Sequence, residues 1–195
     1  QELARGLAEP QPTRLFDALL QCGAHRVVLA ELAALLDDDA RRTAFYGALE
    51  RAASASATAP ERFALVAHAL GPRCDEAVAA LCARLRVPND VEDLALAVCR
   101  CGEMLRAADS ASPAALLATL KCADAFRRPE RLAALLRTLE FSRPGDATRA
   151  AARRLERALE AARAVDAAAI AAASPQNEIA ARLDAARERA IADAV

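Results

Sequence analysis

The sequence predicts an all-α fold, and three observations carry that expectation. Ala and Leu supply most of a 55% hydrophobic content while aromatic residues make up 3%, a palette that favours helix over pleated strand. Proline, small polar caps and glycine recur at spacings that start and stop helices of ordinary length. No stretch alternates convincingly between apolar and polar residues as a half-buried strand would. The expectation is about ten helices with short connections and no significant β-sheet. At 195 residues the chain is long enough for one sizeable core or two small helical subdomains.

The elements follow in order. A helical pattern is already under way in Gln1 to Leu7, and Pro10 and Pro12 separate it from a second helix over about Thr13 to Cys22. There Leu15, Phe16, Leu19 and Leu20 form one apolar face, and Gly23 supplies the C-terminal stop. A short amphipathic piece covers Val27 to Leu36. Asp37, Asp38 and Asp39 favour the positive end of a helix running from near Ala40 to about Ala53. Residues 54–59 read as a small-residue linker, and Pro60 opens a helix that Gly71-Pro72 closes after Leu70. A helix over Asp75 to Leu85 precedes the Val87-Pro88-Asn89-Asp90 turn and N-cap, which launches a long helix through Leu105. Ser112-Pro113 and Arg128-Pro129-Glu130 start the next two, the second reaching about Leu139. Pro144-Gly145-Asp146 resets the chain before a long Ala- and Arg-rich helix over Ala147 to Val165, a short one over Ala167 to Ala173 and a last one after Pro175. No repeat of fixed period is present.

Charge and cysteine content narrow the function classes. With 26 basic and 27 acidic residues the formal charge is −1, so no whole-chain field draws the protein to nucleic acid or to anionic membrane, and any RNA contact must be local. All the basic residues but Lys121 are arginine, a skew that a GC-rich genome also produces. Of the six cysteines none forms a Cys-x-x-Cys pair. The close pair Cys99 and Cys101 points its thiols about 200° apart on a helix, poor geometry for one ion. The expectation is that most cysteines are small buried apolar residues in a reducing cytoplasm. There is no signal peptide and no charge-free apolar run of about 18 residues, so no membrane span is expected. The opening on Gln within a helical pattern reads as the back part of something longer.

Residue by residue, the chemistry is thin. There are two histidines, His25 and His68, too few for the ligand set of a binuclear metal hydrolase. A lone histidine flanked by Leu65, Val66 and Leu70 reads first as a core residue. There is no Gly-rich phosphate loop, no Gly-x-Ser-x-Gly and no strand-borne Asp-x-Asp for magnesium; Asp37 and Asp39 have that spacing but lie between helices. No catalytic residue and no metal ligand is assigned in this chain.

Four segments carry a resemblance. Residues 15–24, 62–71, 81–95 and 124–131, the last two containing Leu-Arg-Val-Pro-Asn and Asp-Ala-Phe-Arg-Arg-Pro-Glu-Arg, resemble in order and spacing the C-terminal half of bacterial CCA-adding enzymes, tRNA nucleotidyltransferases that carry an HD domain. The resemblance extends over nearly the whole chain. It implies an HD-domain-like helical bundle followed by a helical tail: residues 1–55 as the end of the neck and body helices, 60–140 as the HD-like domain and 146–195 as the tail. It also implies a head, absent from this chain, that holds magnesium, CTP and ATP, whereas body and tail grip the acceptor arm and elbow of tRNA. A cytoplasmic location follows from the resemblance, and a homodimer is compatible with it.

The HD motif itself departs from the family pattern. Where active family members read His-Asp-Leu-Gly-Lys-Gly followed by a His-rich loop, this chain reads His68-Ala69-Leu70-Gly71-Pro72-Arg73 and passes almost directly into Asp75. The later histidine is replaced by a stretch containing Arg100, Cys101, Gly102 and Glu103, and an upstream one expected near residues 44–46 is missing. The family's phosphohydrolase activities are therefore not carried over. The candidate RNA contacts are Arg84 and Arg86 before the Pro88 turn, and Arg127, Arg128 and Arg131, where a helix N-terminus adds its amides. Two other readings compete: a residual metal phosphohydrolase using His68 with Asp75 or Glu76, and a helical interaction module with no RNA role.

Overall fold

The computed structural model describes residues 2–71 and 74–195. It is all-α: thirteen α-helices and two 3₁₀ turns, with no strand among the described residues. The helices are α1 (Glu2–Ala8), α2 (Thr13–Gln21), α3 (His25–Val28), α4 (Ala33–Leu36), α5 (Asp39–Ser54), α6 (Ala59–Leu70), α7 (Asp75–Leu85), α8 (Asn89–Arg106), α9 (Pro113–Cys122), α10 (Pro129–Ser142), α11 (Asp146–Arg163), α12 (Ala167–Ala172) and α13 (Ile179–Ala194). They form two compact units that are discontinuous along the chain, one of residues 1–102 with 134–144, the other of residues 103–133 with 145–195. Two of the unit boundaries fall inside α8 and α10, and the third falls in the Pro144-Gly145 connection.

Local chemistry accounts for the helix starts. Asp38 caps α5, its carboxylate accepting from the Arg41 amide at 3.0 Å. Thr58 and Glu61 form a reciprocal capping box at the head of α6, which satisfies two amide donors that the first turn leaves without helical partners. Ser112 caps α9 by accepting from the Ala115 amide at 3.3 Å. Gly71 closes α6 at φ +97°, a conformation open to glycine and strained for any side chain.

The short amphipathic piece over Val27 to Leu36 is divided. Leu29 adopts φ −127° and ψ 50°, ending α3, and a 3₁₀ turn over Ala30–Leu32 leads into α4. The two β-branched residues before the break weaken the helix there. The break seats Leu29 and Leu32 in the core at 0% exposure and leaves Val27 outside at 77%.

The first unit has a core of leucines around a small aromatic cluster. Phe16 of α2 is fully buried and meets Phe45 of α5 edge-on, with ring centroids 5.1 Å apart. Tyr46 stands 6.2 Å from Phe16, and its hydroxyl donates to Asp17 Oδ1 at 2.9 Å. Desolvation first, and the Asp17 carboxylate second, push the tyrosine's pKa above its ordinary value. Gly6 of α1 faces Leu15 so closely that an added Cβ would stand 2.7 Å from Leu15 Cδ2 and 3.0 Å from Cβ. The α1 and α2 backbones therefore meet where a side chain would separate them.

Arg62, buried in α6, ties distant segments together. Its Nε donates to the Ala57 carbonyl at 3.0 Å, and one terminal nitrogen donates to the carbonyls of Leu7 at 2.7 Å and Glu9 at 2.9 Å. The guanidinium thereby satisfies the carbonyls that end α1 and precede α6. The neighbouring buried Glu61 receives Arg137 at 3.2 Å.

In the second unit, Ala151, Leu155, Ala158 and Ala162 of α11 make a narrow buried stripe. Alanine lets α11 approach α9, α13 and the 3₁₀ turn at Ala107–Asp109 closely. Arg154 donates to the carbonyls of Ala108 at 3.2 Å and Asp109 at 2.9 Å. Helix α13 is held by buried Ile191, by an ion pair between Asp184 and Lys121, and by Arg187 stacked over the Phe126 ring at 4.1 Å.

Candidate nucleic-acid interface

The arginines singled out by sequence fall into distinct environments. Arg84, near the end of α7, donates to the Val28 carbonyl at 2.7 Å and pairs with Glu31. Its side chain fastens α7 to the α3 turn, although it remains partly exposed at 38%. Arg86 is the C-cap of α7, exposed and left-handed at φ 53° and ψ 53°. Its guanidinium makes no ion pair or hydrogen bond among the described residues. A left-handed L-residue costs about 1 kcal/mol or more relative to glycine. The chain therefore keeps a cation at a position where glycine would be the easier choice.

Arg127, Arg128 and Arg131 gather at the head of α10 in the second unit. The turn before them hinges on Asp124, also left-handed at φ 53°, whose carbonyl accepts from the Arg127 amide at 3.2 Å and the Arg128 amide at 2.9 Å. Arg128 Nε returns to the Asp124 carboxylate at 3.0 Å, so its charge is partly neutralised. Arg131 is half-buried, and its amide donates to the Arg128 carbonyl at 3.0 Å. Arg127 is exposed and makes no side-chain ion pair or hydrogen bond among the described residues. Among the described residues Arg86 and Arg127 are thus the two of the five with uncommitted charge, one in each unit.

Helix α11 offers further exposed cations that the reading of its alanine content passed over. Arg149, Arg153 and Arg157 stand four residues apart on the side opposite the buried stripe, and residues so spaced are neighbours on a helix surface. Arg149 is paired with Asp146 at 2.8 Å, and Arg149, then Arg153, hold that carboxyl below its ordinary value. Glu156 and Glu160 are interleaved with them, so the stripe is mixed in sign. Its four-residue spacing was the signal available in the sequence.

His68 lies half-buried in the last turn of α6, where the Gly71 amide donates to its backbone carbonyl at 3.1 Å. Ala69 and Leu70 pack against the core of the first unit; Pro72 and Arg73, the end of the departed motif, lie outside the described residues. Among the described residues no three His, Cys, Asp or Glu side chains converge where a metal ion could be held. Asp75, a ligand in the residual-hydrolase reading, pairs with Arg100 at 3.0 Å. The Asp-x-Asp spacing is likewise committed. Asp37 meets buried His25 at 3.0 Å and Arg26 at 3.0 Å, Asp38 caps α5, and Asp39 pairs with Arg42 at 2.6 Å. The His25 hydrogen bond and then Arg26 hold Asp37 below its ordinary 3.8. That pairing therefore supports the fold above pH 3.8 and is lost as acid protonates the carboxyl.

The cysteine expectation needs correction. Cys74 and Cys99 are joined by a disulfide, their Cα atoms 5.5 Å apart; two residues 25 apart in sequence meet because α7 and α8 fold back on one another, a proximity that spacing does not reveal. Cys82 is the small buried thiol expected, its pKa pushed up to about 11 by burial first and by the Glu92 carboxylate second. Cys22 is a free thiol on the surface. No helix among the described residues is long and apolar enough to cross a membrane.

Comparison with known proteins supplies relatives. Over its whole length the chain is 37% identical to the multifunctional CCA protein of Burkholderia mallei strain SAVP1 and to that of Burkholderia pseudomallei strain 668, each across 227 residues and 55% of the relative. It is 35% identical across 224 residues to the multifunctional CCA protein of Cupriavidus necator strain H16, with 98% of this chain and 54% of the relative covered. The chain therefore spans about half the length of the curated relatives it matches. No family model and no solved structure matches it.

Proposed function

We propose that this chain is the body and tail of a CCA-adding tRNA nucleotidyltransferase, the part that holds the acceptor arm and elbow of tRNA in the cytoplasm while a head in the same parent protein adds the 3′-terminal CCA. The observation that carries this reading is similarity over the whole of this chain, and 55% of the relative, to multifunctional CCA proteins. Magnesium, CTP and ATP belong to the head. This half supplies cations to meet tRNA phosphates. We further propose that the HD phosphohydrolase site is lost. Ala69 stands where the motif needs a carboxylate, and no ligand cluster forms among the described residues.

In this reading Arg86 and Arg127 make phosphate contacts, with α11 adding a weaker one. Arg86 separates function from fold, because the two respond in opposite directions to one substitution. R86G is expected to leave the chain as stable or up to about 1 kcal/mol more stable, since glycine takes the left-handed cap without strain. The same change is expected to weaken tRNA binding about 3- to 10-fold and to flatten its salt dependence by roughly one contact, as loss of a phosphate-binding cation does. R127A is expected to weaken binding similarly with stability within about 0.5 kcal/mol of the parent, the usual range for a surface substitution. Filter binding beside urea unfolding reads both quantities. Unchanged affinity in both variants would remove the RNA role from these positions and leave the helical interaction module.

A further inference from the structure

The disulfide of the first unit joins two places that the helices alone leave separable. Cys74 stands at the foot of α7, its sulfur 3.4 Å from the carbonyl of Ala67 in α6, and Cys99 lies within α8. Both are buried, at 6% and 7% exposure. The bridge therefore ties the α6–α7 junction, which carries His68 and Gly71, to the middle of α8.

We infer that Cys74–Cys99 is a folding-coupled redox clasp, formed while the chain is still open and then sealed from small reductants by the folded core. Thiol–disulfide exchange needs a thiolate to approach a sulfur atom directly, and neither sulfur presents appreciable surface once α6, α7 and α8 have packed. The oxidant is a low-molecular-weight disulfide such as glutathione disulfide. One cysteine thiolate attacks it and expels a glutathione thiolate; the second attacks the mixed disulfide and expels the other. The S–S bond of the oxidant is exchanged for the protein's, and its two thiols carry off the two electrons and two protons. The clasp closes a loop across 25 residues, which restricts the unfolded chain and so favours the folded one. This inference is independent of the tRNA reading, and its test involves no RNA.

The full chain is refolded either with glutathione disulfide or with dithiothreitol, its free thiols are blocked with N-ethylmaleimide, and it is digested with trypsin. Cleavage after Arg73, Arg84, Arg86 and Arg100 releases residues 74–84 and 87–100. The oxidised sample is expected to yield these two peptides linked, with fragment sequencing placing the bond on Cys74 rather than on Cys82, which shares its peptide. The link is expected to survive millimolar dithiothreitol in the native chain and to disappear in the same reductant with urea. In a variant with Cys22, Cys82, Cys101 and Cys122 changed to alanine, the oxidised form is expected to melt about 5–15 °C above the reduced one. If that variant does not fold, the peptide map of the natural chain decides. Maleimide on both Cys74 and Cys99 after oxidative refolding, a link made through Cys82 instead, or reduction as rapid in buffer as in urea would each overturn the inference.

Discussion

Replacing Arg62 with alanine is expected to destabilise the first unit by about 3 kcal/mol or more, because a buried guanidinium that holds three backbone carbonyls is removed and the acceptors are left without donors. Those acceptors belong to Ala57, Leu7 and Glu9, so α1 loses its tie to α6 and the start of α6 loosens. In urea the midpoint falls with little change in slope, and the melting temperature drops by about 6–12 °C for a chain of this size. R62K is expected to recover less than half of the loss, since a single ammonium cannot reproduce the planar fork that reaches carbonyls on two sides. A loss below about 0.5 kcal/mol in R62A would mean that these carbonyls find water and that the arginine is dispensable.

Replacing Phe16 with alanine is expected to cost about 3–5 kcal/mol, the range for emptying a fully buried aromatic site. Phe16 is at 0% exposure, and its ring meets Phe45 edge-on while Tyr46 closes the remaining side. Collapse into the space is resisted by the Tyr46 to Asp17 hydrogen bond, which fixes the tyrosine, and by the close seating of Leu15 on Gly6. F16L keeps most of the volume and is expected to cost under about 1.5 kcal/mol. Thermal unfolding followed by far-UV circular dichroism compares the two. Equal losses in both would point to the ring–ring geometry rather than to the cavity.

Both residues show what the sequence could and could not reveal. Phe16 sits on an apolar face that helical spacing displays directly, and its burial was legible. The caps at Asp38 and Ser112 were legible for the same reason, being interactions that span three residues. The role of Arg62 was not, because its partners include carbonyls 53 and 55 residues away. Arg84 lost part of its freedom to Glu31 and Val28 through contacts of the same long-range kind. The Cys74–Cys99 bond depends on how α7 and α8 lie together and has no sequence signature. The left-handed backbone of Arg86 was equally invisible, since an arginine there runs against the residue preference that would have announced it.

In the proposed reading this chain contributes the charge that meets tRNA phosphates. Arg86 and Arg127 supply uncommitted cations in separate units, and their effect on binding must then be electrostatic and additive within the limits of independent sites. The most direct measurement is the affinity of this chain for tRNA lacking its terminal CCA as salt is varied. With the three phosphate contacts proposed, at about −0.7 to −0.9 each, the log–log slope is predicted to be about −2 to −3. A slope flatter than about −1, or no detectable complex at low salt, would contradict the claim that the chain is a phosphate-gripping scaffold.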